Sequence, residues 1–271
     1  MVVIAGAGCS SSAKHIAAAP GAPTGSTTTT LPPVTGPLTR ASERSVSLLF
    51  TQGVARVPNG WIFSNDFGLY RTDDALRIVA HTDKAIPTAW SKKGYNHVGD
   101  IDVVGKYVYA PFEDPDYSRG TQAMARFDRV TLRFVDAVTV PQHQNSFVTV
   151  DTATMTAYTM DQFDGDTLLR YDVANGWKPL PPLRMRTTLH RTQGADIGGG
   201  GVWISTDDAV KGVYRVDLAT GAVARVAKMG HADGGEGEGI DVTDLPGGYV
   251  HTLVAEAGAH PSWFQHWHAS S

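Results

Sequence analysis

A single cysteine, Cys9, stands in 271 residues, so no disulfide within the chain can brace the fold and a hydrophobic core must hold it. Charge is sparse as well. Asp, Glu, Lys and Arg make up 18% of the residues and leave a formal net charge of −4, without the clustered basic surface that displaces counterions from nucleic acid, which is therefore not an expected partner. No apolar run reaches the ~20 residues of a membrane span. A phosphate cradle of the strand, Gly-rich loop and helix type is also missing: Gly198-Gly199-Gly200-Gly201 lies between two strand-like runs and reads as a hairpin turn.

What the chain has is a repeat. Gln52-Gly53-Val54, Val98-Gly99-Asp100, Asn145-Ser146-Phe147, Gln193-Gly194-Ala195 and Glu238-Gly239-Ile240 open five units, offset by 46, 47, 48 and 45 residues. That spacing matches the ~40–50 residue blade of a β-propeller. A second run follows each opening: Trp61-Ile62-Phe63, Tyr107-Val108-Tyr109, Thr156-Ala157-Tyr158, Val202-Trp203-Ile204 and Tyr249-Val250-His251. Four units continue into Arg-x-Asp, at Asp73, Asp128, Asp172 and Asp217, and then into a turn such as Asp217-Leu218-Ala219-Thr220-Gly221, where Asp caps the backbone and Gly takes a positive φ. These acids are expected to be structural, and Trp61 and Trp203 to lie in the core between blades.

Each unit thus reads as four antiparallel strands, except the fifth, which stops after a third, Trp263-Phe264-Gln265-His266-Trp267. Val46-Ser47-Leu48-Leu49-Phe50 precedes the first unit with no partner of its own. The expected fold is all-β: a five-bladed β-propeller over residues 45–271, closed by residues 46–50 as the outermost strand of the last blade, which leaves no blade incomplete.

Ahead of it, residues 1–9 resemble the end of a bacterial lipoprotein signal, with Gly6-Ala7-Gly8 before Cys9 as the lipidated residue. Such a signal needs a basic start and a longer apolar core, so its beginning is expected upstream. Residues 10–44, rich in Ser, Thr, Pro, Ala and Gly, are expected to be a disordered tether. The corresponding expectation is a monomer in the bacterial cell envelope, held to the membrane only by lipid.

In a propeller, the loops entering the innermost strands and those between second and third strands emerge on one face, at the mouth of the central channel. Here they carry His97, His143, His190 and His231, the openings Gln52, Asn145, Gln193 and Glu238, and the acids Asp66, Glu113, Asp161 and Asp207. Oxygen ligands from several blades suit calcium, and Asp100, Asn145 and Glu238 are the expected metal ligands. Histidine on the same rim suits acid–base work, making Glu238 and His97 the candidate catalytic residues. Gln52, Gln193 and Glu113 are candidate ligand contacts, joined by Tyr117 and Arg119 from a long second-blade loop over the same face.

Phe50-Thr51-Gln52-Gly53-Val54, with Gly60-Trp61-Ile62-Phe63-Ser64 and Phe67-Gly68-Leu69-Tyr70, resembles the opening blade of glutamine cyclotransferases, and Glu238-Gly239-Ile240 echoes a strand opening of that family. The resemblance implies a five-bladed propeller that cyclises N-terminal glutamine, although Val98-Gly99 stands where that family places its catalytic Glu. A broader likeness to calcium-dependent lactonases and gluconolactonases implies a channel-mouth metal held by Glu, Asn and Asp. Two functions stay open: a surface module binding a small molecule, glycan or protein at the channel mouth, or a hydrolase, lactonase or cyclotransferase acting there.

Overall fold

The computed structural model describes residues 36–230, 235–256 and 261–269. Cys9 and His231 lie outside the described residues. Five antiparallel sheets form a five-bladed β-propeller. The first blade comprises Val54–Val57, Gly60–Ser64, Leu69–Asp73 and Ile78–Thr82. In the second, the innermost strand is split into His97–Val98 and Asp102–Val104, both pairing with Tyr107–Glu113, followed by Gln122–Asp128 and Phe134–Val140. Thr149–Asp151, Thr156–Met160, Gly165–Asp172 and Lys178–Leu189 form the third, and Thr192–Gly198, Gly201–Thr206, Gly212–Asp217 and Val223–Lys228 the fourth. The fifth has Glu236–Asp241, Tyr249–Ala255 and Ser262–Ala269, with Leu38–Val46 outermost.

The ring is closed by an N-terminal strand, but not by residues 46–50. Leu38 to Val46 runs antiparallel to the last strand, from Leu38 opposite Ala269 to Val46 opposite Ser262, so the propeller begins inside the stretch expected to be a disordered tether. An outermost strand has a neighbour on one side only. Its side chains from Thr39 to Ser45 can therefore be polar, and only Leu38 and Val46 at its two ends are buried. Residues 47–50 instead turn into the first blade, where Phe50 stacks on Phe63 with centroids 4.1 Å apart.

Five hydrophobic clusters occupy the seams between neighbouring blades, which is how a ring without disulfides is held. Trp203 is fully buried between the fourth and fifth blades, while Trp61 meets Phe264 edge-on across the closing seam at 4.8 Å. At the hairpins, Asp128 Oδ1 accepts from Val130 N and Thr131 N, and Asp217 Oδ1 from Ala219 N and Thr220 N, so the Arg-x-Asp acids do cap turns. Gly199 and Gly200 take φ of +57° and +72° in the two-residue turn between Gly198 and Gly201.

The axis is filled by one side chain. Where the second blade's inner strand breaks, Asp100 turns into the centre, bridging to Phe147 of the third blade. Its Oδ1 accepts from Val54 N and Ile101 N, both at 3.0 Å, and its Oδ2 from Ala195 N at 3.0 Å and Ile240 N at 3.3 Å. Its own N–H donates to Ser146 O at 2.8 Å. One residue thereby bonds to all five blades. Space for it comes from glycine: a Cβ on Gly53 would sit 2.8 Å from Oδ1, and one on Gly194 2.5 Å from Oδ2.

One layer further along the channel, Asp102 accepts from Val150 N, Asp196 from Val242 N and Asp241 from Arg56 N, each at 2.7 Å, lacing neighbouring blades together. Burial pushes the Asp102 carboxyl up to about 6 and the Asp241 carboxyl up to about 7. A cavity of ≈ 420 Å³ lined by Asp102, Asp196 and Gly198 opens at this end.

Replacing Asp100 with Asn turns one oxygen into an NH₂ facing backbone donors. Two buried N–H groups lose their acceptor, at roughly 1–3 kcal/mol each. Chemical denaturation of Asp100→Asn should therefore show a loss of several kcal/mol, whereas Asp217→Asn, which keeps its turn-capping oxygen, should melt close to wild type. Equal, small effects of the two would remove Asp100 from its central role.

Candidate functional site

Four of the five inner strands enter the ring through an irregularity. Thr51 N and Gln52 N both donate to Ser64 O, the second blade's strand breaks after Val98, and register shifts place Gln193 between Thr192 and Gly194, and Glu238 between Gly237 and Ile240. Bulges re-aim side chains. They bring sequence-distant polar groups to the channel mouth opposite the Asp102 layer.

The densest group there spans three blades. His97 Nε2 lies 3.1 Å from Gln52 Oε1 of the first blade. On its other side, Nδ1, sealed from solvent, is 3.0 Å from Oε2 of Glu113 but off the line of a hydrogen bond. Glu113 is buried; its Oε1 accepts from Asn145 N of the third blade at 3.3 Å, and its side chain meets the Tyr117 hydroxyl. Tyr117 also reaches Gln144, whose Oε1 accepts from Phe163 N. Burial, followed by the Glu113 charge, raises the Tyr117 pKa. With Gln52 Oε1 as acceptor, Nε2 carries the hydrogen, and Nδ1 faces the Glu113 carboxylate.

Glu238 lies in the fifth blade's opening, 2% exposed, with Ser205 Oγ donating to its backbone oxygen. Its carboxyl pKa is raised well above the usual carboxylate range, first by burial and then by the negative charges of Glu236, Asp207 and Asp100.

The structure brings Gln52, His97, Glu113 and Tyr117 together, and puts Gln193 and Glu238 at the equivalent openings of the fourth and fifth blades. Other expected residues are engaged elsewhere. Arg119 lies back on its own loop, bonded to Asp114 Oδ2 at 2.7 Å, Asp116 Oδ2 at 3.1 Å and Lys93 O at 2.6 Å. The calcium set is not assembled. All acceptor directions of Asp100 are filled by backbone N–H groups, and Asn145, fully buried, accepts from Gln142 Nε2 at 2.9 Å and donates to Ala123 O at 2.8 Å. Among the described residues no group of three or more His, Cys, Asp or Glu is placed to hold a metal. His143 pairs with Asp161 at 3.0 Å and His190 with Asp164 at 3.5 Å. Gln144 is expected on the rim from its place in an entering loop; Phe163 was not among the expected site residues, and its sole signal is position in the loop after a second strand.

No protein-family model matches the chain, and no curated protein matches it. Among solved structures it is similar to the PQQ-bound form of an aldose sugar dehydrogenase from Streptomyces coelicolor, with a TM-score of 0.51 and 9% identity over 88% of this chain and 99% of that one. It is also similar to a luciferin-regenerating enzyme, with a TM-score of 0.50 and 7% identity over 84% of this chain and 95% of that one. At such identities the likeness shows the propeller fold alone.

The raised Glu238 pKa fixes a pH dependence. The folded state holds a proton that the unfolded chain releases near pH 4.5, so this contribution to stability is full below that pH and is lost as pH rises through the folded value. Glu238→Gln, which keeps shape without titrating, should gain stability relative to wild type as pH is raised from 5 to 8. Parallel stability profiles for the two proteins would show that Glu238 is ionised in the folded state.

Proposed function

We propose that this propeller binds a small polar molecule at the channel mouth built from Gln52, His97, Glu113 and Glu238. The carrying observation is the His97 contact set: one imidazole gathers an amide from the first blade and a buried carboxylate of the second, which is itself bonded to the third. Converging polar groups at a channel mouth are the ordinary makings of a ligand site. A turn or an edge explains a solitary rim acid, but does not explain this convergence.

A second reading, acid–base catalysis of the hydrolase, lactonase or cyclotransferase kind at the same face, is favoured by one further observation. Glu238 is a buried acid with a raised pKa, and the His97 imidazole stands 3.0 Å from the Glu113 carboxylate on the same rim. A neutral acid and a base are the two roles such a reaction needs.

Thermal-shift screening of small polar molecules, followed by calorimetry, tests the first reading. A ligand at a hundredfold excess over its dissociation constant should stabilise the wild type by roughly 2.7 kcal/mol, and His97→Ala should bind it at least tenfold more weakly. Ligands indifferent to both His97→Ala and Glu238→Gln would sink the site. If a ligand is also turned over, each substitution should slow turnover by about 10²–10⁴-fold; binding without turnover leaves the module reading.

The attachment proposed with this function is lipid on Cys9, in a cell envelope, as Gly6-Ala7-Gly8-Cys9 suggests. Fatty-acid labelling of the product expressed from its natural start in a bacterial host should mark the wild type and not Cys9→Ser. Absence of label on the wild type would overturn the attachment.

A further inference from the structure

Beside the His97 group, Tyr117, His143, Gln144, Gln162, Phe163 and Asp164 line a cavity of ≈ 400 Å³, within the ~300–1,000 Å³ typical of small-molecule pockets. It is continuous with the proposed site, because Tyr117 belongs to both: its hydroxyl meets Glu113 on one side and Gln144 on the other. The cavity's chemistry is unlike that of the acid-rich rim. The His143 imidazole and the Asp164 carboxylate in its wall each already have a partner within the protein. His143 Nδ1 is 3.0 Å from Asp161 Oδ2, and Asp164 lies 3.5 Å from His190 Nδ1 while its Oδ1 accepts from Arg191 N at 2.8 Å. The Arg191 N–H, with the His190 ring, holds the Asp164 carboxyl below the usual carboxylate range.

An anionic ligand would face the Asp164 carboxylate, and a cationic one would find that carboxylate already hydrogen-bonded by Arg191 N and beside His190. An uncharged one would meet two aromatic rings, Tyr117 and Phe163, edge to face at 6.4 Å, and the exposed amide of Gln162 in the cavity wall. A primary amide offers a donor and an acceptor side by side, the pattern that two neighbouring hydroxyl groups complement. The rings offer apolar surface suited to the C–H face of a saturated ring.

From this combination we propose that the cavity is the ring-binding subsite of the channel-mouth site and that it takes a neutral cyclic polyol, a free saccharide or the terminal unit of a glycan, with Phe163 as the packing surface and Gln162 as the hydroxyl reader. The substrate class rests on the proposed function of the same face, while the subsite itself involves residues outside the His97 group.

Calorimetry on the full chain separates the two. The probes are glucose, N-acetylglucosamine, maltose and cellobiose, with spermidine and citrate as charged probes, and sedimentation with insoluble cellulose and chitin for the glycan-end arm. At least one saccharide or polysaccharide should bind, a free sugar with a Kd below ~10 mM. Phe163→Ala should weaken that binding at least tenfold and Gln162→Ala, at an exposed position, several-fold, with melting temperatures near wild type. Saccharide binding unaffected by both substitutions, no saccharide binding at all, or spermidine or citrate binding that depends on Phe163 would each overturn the subsite. If saccharide binding depends on Phe163 but not on His97, the subsite stands and the His97 reading falls; if a different ligand depends on His97 and not on Phe163, the reverse holds.

Discussion

Four backbone N–H groups converging on the Asp100 carboxylate are the constraint on which the ring depends. A repeat protein whose units each present the same residue to a common axis cannot place five carboxylates there, because their mutual repulsion and lost hydration would exceed any gain. The chain resolves this by breaking its own symmetry. One blade interrupts its inner strand to supply an acid, and Gly53, Gly194 and Gly239 keep other openings small enough for backbones to close around it. Burial raises the Asp100 pKa while four backbone donors lower it, so the same contacts that seal the axis also offset the cost of the buried group.

Sealing the axis divides the channel into two ends of different character. On one, Asp102, Asp196 and Asp241 are consumed in lacing blades together; on the other, bulged openings leave Gln52, His97, Gln193 and Glu238 turned toward the mouth. The irregularities that weaken strand pairing on that side are what aim the site.

Blade number and strand count were legible because Gly, the hydrophobic run and Arg-x-Asp recur at a nearly constant offset, each with a local physical reason. The closing strand was misplaced by several residues because its polar stretch Thr39 to Ser45 has the composition of a linker; only long-range pairing with Ser262–Ala269 makes it a strand. Asp100 and Asn145 looked like metal ligands since composition reveals an oxygen but not what already occupies it. His97, Glu113 and Tyr117 were legible as a group because loop position alone places them on one face. Phe163 was not, since its place beside Tyr117 and Gln144 comes from contacts between loops of different lengths.

The pairing of Leu38–Val46 with Ser262–Ala269 also sets an order of events. Leu38–Val46 receives its partner only when Ser262–Ala269 has been made, so a nascent chain that has not reached residue 262 cannot complete the ring. Contacts separated by most of the chain length are slow to form and leave intermediates with open sheet edges. The last blade is thus the latch of the ring, and a chain arrested between residues 241 and 261 would carry every donor to its hub acid yet leave the sheet edge of its N-terminal strand open.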